Sequence, residues 1–246
     1  MSEIVKTEGI ILSKLNYGDT SVIVNIFTKD YGKISAMLKG ARNQKSNKTG
    51  RLVDPLNYLQ LVLYNKSSRE IQLISDVSVI SYYPNIKENL DKLKYSFAVI
   101  ELLNKLLPEH EVNSVLFKGT IRIFDLFNTS NENEKVIFGR YFMFFLKVIG
   151  YELQLESCHI CGKTNLSGMS LSYNFENGIL CRDCHEKMEN FQIEAELFNY
   201  LNCLKNNYKA DNIEETIKDK ALFFMEMFLK YHVPSFQRLD SFKLKF

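Results

Sequence analysis

The sequence predicts an α+β protein, with a small five-stranded closed barrel followed by a helical domain that carries an inserted four-cysteine segment. Three observations predict this class. Residues before 80 form short β-branched or alternating runs, residues after 81 carry apolar side chains at helical spacing, and two C-x-x-C pairs lie between predicted helices. The predicted domains are therefore 1–80, the barrel, and 81–246, the helical domain, with 153–190 as a metal-binding insertion.

Five short runs in the first 80 residues predict strands. They are Ile4 to Leu15, Thr20 to Thr28, Lys33 to Lys39, Leu52 to Leu63 and Glu70 to Val79. Turn-forming segments separate most of them, namely Tyr17-Gly-Asp, Asp30-Tyr-Gly and Asn65-Lys-Ser-Ser. Because helical sequence follows the fifth run directly, these strands are expected to close on themselves as a barrel.

The connection between the third and fourth predicted strands is basic. The chain from residue 31 to residue 53 has six basic residues and no acidic one: Lys33, Lys39, Arg42, Lys45, Lys48 and Arg51. Its middle, 40–50, is small, polar and flexible in composition. Such a segment can follow a phosphate backbone, because each Lys or Arg displaces condensed counterions. A solvated loop that only promotes solubility is the alternative.

Aromatic residues in or near these strands could stack on bases, namely Tyr17, Phe27, Tyr31, Tyr58 and Tyr64. Phe27 lies on an alternating run and is expected to be internal, whereas Tyr17 and Tyr31 lie at turns and are the better candidates for exposure. The basic connection and these rings make the barrel a candidate surface for single-stranded nucleic acid.

Charge is distributed unevenly along the chain. The net charge is +2, but residues 1–80 contain eleven Lys/Arg against seven Asp/Glu, which leaves twenty against twenty-two for the remainder. No apolar run approaches the roughly 18 residues that cross a bilayer. The first residues also lack the pattern of a secretory signal. A cytoplasmic protein is expected.

The sequence after residue 81 predicts helices. Apolar residues at spacings of three and four mark 87–107, which ends before Pro108, and 113–127 follows behind Asn113 as a plausible cap. Further helices are predicted at 135–149, which closes at Gly150, at 194–206 and at 213–232. The segment with the cysteines lies between the third and fourth of these helices.

Four of the five cysteines form two pairs, Cys158 with Cys161 and Cys181 with Cys184, separated by nineteen residues. This spacing predicts one zinc ion held by four thiolates, a structural site with no open position to activate water. Two disulfides or a redox-active C-x-x-C are the alternatives; the first needs an oxidising compartment and the second a βαβ setting. Cys203 is expected to be an apolar residue of a helix.

No catalytic motif is visible. The chain lacks G-x-x-x-x-G-K-[ST] and G-x-G-x-x-G, its four histidines are scattered, and its paired carboxylates fall on predicted solvent faces. The sequence therefore favours a protein that is not an enzyme. An RNA-binding barrel protein and a zinc-stabilised adaptor between proteins remain alternatives.

Three blocks of the N-terminal sequence resemble the RecO recombination mediator family: Glu8-Gly-Ile-Ile-Leu, then Tyr17-Gly-Asp-Thr-Ser-Val-Ile-Val-Asn-Ile-Phe-Thr28, then Tyr31-Gly-Lys-Ile-Ser-Ala-Met-Leu-Lys-Gly-Ala-Arg42. The resemblance continues through Leu52-Val-Asp-Pro-Leu and extends to the order of barrel, helices, cysteine pairs and a final helix ending at His232. It covers nearly the whole chain. The last residues, 235–246, look unlike the tails of that family.

The resemblance implies a bacterial DNA-repair protein with an N-terminal OB-fold that binds DNA. Such a protein binds single- and double-stranded DNA, anneals complementary strands, joins with RecR and contacts the C-terminal tail of the single-strand DNA-binding protein. It thereby helps to load RecA, in the cytoplasm at the nucleoid. The expected zinc ligands are Cys158, Cys161, Cys181 and Cys184, and the zinc is expected to clamp helices together rather than to read DNA.

Overall fold

The computed structural model describes residues 3–43, 47–166, 168–169, 171–187, 191–209 and 212–243; of 47–49 and 185–187 it describes the backbone. Two compact units are distinguished by their internal contacts, Met1–Ser130 with Leu239–Phe246, and Asn131–Arg238. We call them unit 1 and unit 2. Unit 1 has nineteen basic and fourteen acidic residues, and unit 2 has twelve and fifteen. In the described parts of the chain, every helix is too short or too polar to cross a lipid bilayer.

Five strands of unit 1 close into a barrel. They are β1 (Glu3–Tyr17), β2 (Ser21–Thr28), β3 (Gly32–Leu38), β4 (Tyr58–Asn65) and β5 (Ile71–Ser81), in the order β1-β2-β3-β5-β4. The long β1 pairs with both β2 and β4, and a bulge between Ile11 and Ser13 bends it from one partner to the other. The β3–β5 pair is parallel and the other pairs are antiparallel. The predicted five-stranded barrel is confirmed.

The barrel core follows from the alternation of apolar side chains along each strand. In β2, Val22, Val24 and Ile26 are buried while the residues between them face outward, and β3 repeats the pattern with Ile34, Ala36 and Leu38. Because successive side chains of a strand point to opposite faces, the same pattern also determines which residues lie on the outside of the barrel.

The fourth strand begins later than the sequence predicts. Residues 52–57 lie outside the strand: a short helix, α1 (Asn47–Leu52), is followed by a turn that contains Pro55 and Leu56, whose φ is +73°. The side-chain amide of Asn57 donates to the carbonyl oxygens of Arg51 and Leu52 at 3.1 and 2.8 Å. It thereby satisfies two hydrogen-bond acceptors at the end of α1. The prediction of a strand from Leu52 was wrong because the apolar run there lines the barrel core from a turn.

Three helices complete unit 1: α2 (Pro84–Glu88), α3 (Leu90–Leu106) and α4 (Ser114–Thr129). Asn89 breaks the predicted helix 87–107 because its backbone is extended and its side chain accepts a hydrogen bond from the Lys92 N–H group at 3.0 Å. The predicted cap at Asn113 is confirmed, since its side chain accepts from the Leu116 N–H group at 2.9 Å.

Unit 2 consists of three long helices and a small sheet. The helices are α5 (Glu134–Val148), α6 (Ala195–Lys205) and α7 (Glu215–His232); the strands are β6 (Leu171–Asn174), β7 (Gly178–Cys181) and β8 (Phe191–Ile193), in the order β7-β6-β8. The three predicted helices are confirmed to within two residues at each end. The strands give way to helices where the sequence predicts it, since β5 ends at Ser81. The domain limits 1–80 and 81–246 stay a prediction.

The end of the chain returns to unit 1 and is held there by Glu101 of α3. The Glu101 carboxylate accepts hydrogen bonds from the backbone of Asp240 (2.7 Å), from the backbone and hydroxyl of Ser241 (2.9 and 2.6 Å), and pairs with Lys105 at 2.6 Å. The ring of Phe242 packs edge-on against Tyr95. A partly buried carboxylate therefore fastens the short 3-10 turn at Asp240–Lys243 to α3.

Replacing Glu101 by Gln is expected to destabilise unit 1 by about 2 kcal/mol at neutral pH, because charge-assisted hydrogen bonds to a partly buried group are lost. Burial raises the pKa of Glu101, but the hydrogen bonds from Lys105, Ser241 and the Asp240 backbone outweigh burial and lower it below its ordinary value of 4.5. A lowered pKa stabilises the fold above the unfolded-state pKa, and that stabilisation is lost as the pH falls through the folded-state pKa.

Thermal melts of Glu101→Gln and the parent protein between pH 3 and pH 7 would test this. The difference in melting temperature should be full at pH 7 and shrink at pH values below about 4.5. A difference that stays constant over this range would contradict the role given to the carboxylate.

Candidate nucleic-acid surface and metal centre

Three residues of the predicted basic connection lie at the surface beside the β1–β2 hairpin or at the end of α1. Lys39 directly follows β3 and is exposed, and Arg51 is exposed in the last turn of α1. Arg42 is anchored, because its backbone N–H group donates to the Thr20 carbonyl oxygen at 2.8 Å and its guanidinium donates to the Gly18 carbonyl oxygen. The turn after β3 is thereby attached to the turn of the hairpin.

Lys33 does not belong to this surface. Its side chain is buried, with 8 % of the residue exposed; its ammonium donates to the Asn104 carbonyl oxygen at 2.9 Å and pairs with Glu109 at 3.3 Å. The backbone carbonyl of Lys33 also accepts from the His110 N–H group. Lys33 therefore joins β3 to the end of α3 and to the connection that follows it, and these contacts engage the ammonium that the sequence assigned to phosphates.

The remaining two predicted residues cannot be compared with the structure. Lys45 lies outside the described residues, and Lys48 is described only through its backbone, in α1. Both stay predictions.

The position of α1 is fixed by side chains that the sequence reasoning missed. Lys14 of β1 donates to the Gly50 carbonyl oxygen and pairs with Asp54, both at 2.7 Å, and Lys87 donates to the Asn57 side chain at 2.5 Å. Burial lowers the pKa of Lys87, opposed by the charge of Asp54. Cations at the C-terminal end of a helix complement its dipole. These contacts hold Arg51 in place, and no local motif marks them.

Gly50 permits the close packing of α1 on the turn after β3. A Cβ atom at this position would lie 2.3 Å from the Ala41 carbonyl oxygen, a separation that forces the backbone apart. Glycine at residue 50 is thus a requirement of the basic connection's geometry.

Of the aromatic candidates, Tyr17 and Tyr64 are exposed, with 52 % and 40 % of each residue accessible. Phe27 is fully buried, as expected, and its ring meets Phe117 of α4 edge-on at 5.4 Å between centroids. Tyr31 is only half-exposed and packs against the barrel core. The expected exposure is therefore confirmed for Tyr17 and reduced for Tyr31.

In unit 2 the four predicted metal ligands converge. The sulfur atoms of Cys158, Cys161, Cys181 and Cys184 all lie within 4.8 Å of one another, and those of Cys161 and Cys181 are 3.7 Å apart. In a tetrahedral site with Zn–S bonds of about 2.3 Å the sulfurs are separated by about 3.8 Å. The cluster can therefore hold one metal ion, and none of its four cysteines forms a disulfide bond.

Backbone hydrogen bonds shape the two short turns that carry the cysteine pairs, 158–161 and 181–184, which we call knuckles. The N–H group of Gly162 donates to the Cys158 carbonyl oxygen, and that of His159 donates to the Ile179 carbonyl oxygen of β7, both at 2.9 Å. Burial would raise the pKa of the Cys158 thiol, but backbone N–H groups of Cys161, Cys181 and Ile160 outweigh this and hold it at about 6. The neighbouring Cys181 thiol raises the pKa of Cys184 to about 12. Cys158 therefore loses its proton more readily than Cys184.

An aromatic cluster fastens the segment that carries the four cysteines (residues 153–190, the metal segment) to α7. Tyr173 of β6 meets Phe224 edge-on at 5.1 Å, and Phe175 contacts both Phe224 and Phe228. The hydroxyl of Tyr173 accepts a hydrogen bond from the Gln154 N–H group at 3.1 Å. The knuckles are thus anchored to a helix of the same unit through apolar packing, which suits a structural metal.

Strand order, the parallel β3–β5 pair and a short helix between β3 and β4 define the chain as an OB-fold protein, joined to helices and a four-thiol metal site. Comparison with known families agrees: residues 1–83 match the family described as Recombination protein O N terminal, and residues 87–240 match Recombination protein O C terminal. The chain belongs to the RecO family of DNA repair proteins.

Individual relatives carry the same description. DNA repair protein RecO of Alkaliphilus metalliredigens is 29 % identical over 218 residues, which cover 89 % of this chain and 86 % of that protein. That of Caldanaerobacter subterraneus is 26 % identical over 247 residues and 98 % of each chain. For that of Chlorobium limicola the match, 31 % identical over 160 residues, spans 65 % of this chain and 61 % of the relative.

Among solved structures, an aspartyl tRNA synthetase from Entamoeba histolytica aligns with 98 % of this chain and 54 % of its own, at 10 % identity and a TM-score of 0.27. This likeness is too low to bear on the fold.

Proposed function

We propose that this protein is a recombination mediator that is not an enzyme. It binds single- and double-stranded DNA without sequence preference, anneals complementary strands and, with RecR, helps to load RecA onto DNA coated with single-strand binding protein. The observation that supports this most is a basic segment anchored on the outside of an OB barrel, in a chain of a DNA repair family.

Lys39, Arg42 and Arg51, with Lys45 and Lys48, neutralise phosphates. Each contact releases condensed counterions, so the affinity is independent of sequence and falls steeply as salt rises. Annealing needs no hydrolysis, because a cationic surface that holds two strands lowers their mutual repulsion and leaves the bases free to pair. The excess of basic over acidic residues in unit 1 supports this assignment, and the acidic excess of unit 2 disfavours DNA contact there.

The metal is zinc, one ion per chain, held by Cys158, Cys161, Cys181 and Cys184. Zinc suits a closed tetrahedral set of four thiolates, and such a set leaves no coordination position for a reacting water. The role of the ion is to hold the two knuckles and the β6–β7 hairpin in shape, so that the hairpin can pack on α7.

The protein partners are RecR and the C-terminal tail of the single-strand DNA-binding protein, and RecA acts downstream. An acidic tail that ends in apolar residues requires an apolar groove beside a cation. We assign no residues to these contacts. The site of action is the bacterial cytoplasm, at the nucleoid.

Strand annealing tests the proposal. Complementary oligonucleotides carrying a donor and an acceptor dye, either bare or coated with single-strand binding protein, are mixed with the protein, and energy transfer reports duplex formation. We expect acceleration on both substrates, and little acceleration with the triple variant Lys39→Ala/Arg42→Ala/Arg51→Ala.

The matched control is Lys147→Ala/Lys220→Ala/Lys230→Ala, which removes three exposed charges from helices of unit 2. This control should anneal like the parent. Equal loss in the two triple variants would mean that overall charge, not the basic connection, drives annealing, and the proposal would fail.

A further inference from the structure

The register of the barrel aligns outward-facing side chains of β1, β2, β3 and β5 into rows. Residues that pair directly across strands share a face of the sheet. The pairings give one row of Leu15, Ile23, Met37 and Leu73, a second row of Ser13, Asn25, Ser35 and Ile71, and a third of Tyr17 and Ser21. Lys39 follows Leu38, whose partner is Val22, and ends the third row.

These rows face solvent. Leu15 is 66 % exposed, Tyr17 52 % and Ile71 37 %, and the other members are half-buried or exposed, while the residues between them on β2 and β3 line the barrel core. Helix α4 covers another part of the barrel, where Phe117 packs against Phe27. As far as the described residues show, the rows therefore form a sheet face that is partly open to solvent and largely apolar.

Among the members of the three rows, Lys39 is the one side chain that is charged at neutral pH. The Asn25 and Ser35 side chains bond each other at 2.9 Å. Beyond the third row, Arg42 is held against the hairpin turn at Gly18; Asp19, in the same turn, is exposed. The apolar face thus has cations along the edge where Tyr17 lies.

We propose that this face is a stacking platform for the bases of single-stranded DNA, with Tyr17 and Leu15 as the main contacts. This inference rests on the proposed function and extends it from phosphates to bases. An apolar sheet with an aromatic ring and flanking cations complements a strand whose bases are unpaired and whose phosphates are charged. The bases of a duplex are hidden within the helix, so the platform adds affinity for single strands alone.

The size of the platform suits a short stretch of strand. Adjacent strands are about 4.8 Å apart, so the row from Leu15 to Leu73 spans about 14 Å. In another nucleic-acid module a four-stranded sheet holds about two or three bases on its exposed aromatic rings. A few bases on the platform would place their phosphates toward Lys39 and Arg42.

The test compares the parent with Leu15→Ala/Tyr17→Ala, using three probes of equal length: oligo(dT), an abasic oligonucleotide that keeps the phosphates, and a duplex. The double variant is expected to bind oligo(dT) roughly 5- to 150-fold more weakly, the range that loss of base stacking gives. Its binding of the abasic strand and the duplex, and its slope of log affinity against log salt, should stay those of the parent.

Tyr17→Phe is the matched control, since it keeps the ring and should bind oligo(dT) like the parent. Unchanged melting temperatures are expected for the double variant and for Tyr17→Phe, because both residues are exposed. If the double variant binds oligo(dT) as tightly as the parent, or loses affinity equally for all three probes, the platform is rejected. If the double variant binds oligo(dT) like the parent but binding still depends on Lys39, Arg42 and Arg51, the proposed function stands without the platform. If the parent protein binds none of the probes, both the platform and the proposed function are overturned.

Discussion

Replacing Cys158 and Cys181 by Ser is expected to abolish zinc binding and to cost on the order of 10 kcal/mol of local folding free energy in the cysteine segment. Each substitution removes one ligand from a different knuckle, and a two-thiolate remnant cannot close the tetrahedral set. Without the ion, the thiols of the cluster lose the cation that holds them together, and the β6–β7 hairpin loses its support against α7.

Atomic emission spectroscopy and thermal melts would measure this effect. The parent should contain one zinc per chain and the double variant none. The melting temperature of the double variant should fall by as much as that of the parent falls when a chelator removes its zinc. Cys203→Ser is the matched control, because Cys203 lies in α6 outside the cluster, and it should keep both zinc and stability. If DNA binding vanished in the cysteine variant while the fold survived, the structural role of the metal would be wrong.

The triple variant Lys39→Ala/Arg42→Ala/Arg51→Ala is expected to bind single-stranded DNA about 100-fold more weakly at 0.1 M salt. Each phosphate contact to a single strand contributes about 0.7 to the slope of log affinity against log salt, so three contacts contribute about 2. The slope should flatten by that amount, and the affinities of variant and parent should converge near 1 M salt.

Fluorescence anisotropy of labelled oligonucleotides of several sequences, titrated at four salt concentrations, measures both quantities. The loss should be the same for every sequence, because phosphates carry no sequence information. Lys147→Ala/Lys220→Ala/Lys230→Ala keeps the same net charge as the triple variant and should leave the slope unchanged. A variant slope equal to that of the parent would exclude the basic connection as the DNA site.

Periodicity alone was sufficient to predict most of the fold. Alternating apolar residues marked the strands, and spacings of three and four marked the helices, because burial against one core imposes both patterns locally. The cluster of Cys158, Cys161, Cys181 and Cys184 was equally predictable, since C-x-x-C spacing places two sulfurs of each knuckle together whatever surrounds them.

The remainder depends on contacts between distant parts of the chain. Lys33 reads as one more cation of a basic run, but Asn104 and Glu109 bury it from 71 and 76 residues away. The apolar residues at 52–56 read as a strand, yet they enter the core from a turn that Asn57 and Lys87 stabilise. The outer rows of the barrel also escape sequence reasoning, because they exist only once the register is fixed.

We propose that DNA lies on the OB barrel and not on the segment that carries the four cysteines. Hydrogen exchange measured by mass spectrometry, on the protein alone and with saturating oligo(dT), tests this claim directly. We predict slower exchange with DNA in peptides covering 13–25, 33–43 and 47–52, and unchanged exchange in peptides covering 158–184. Protection confined to 158–184, with no change in the barrel peptides, would contradict the account.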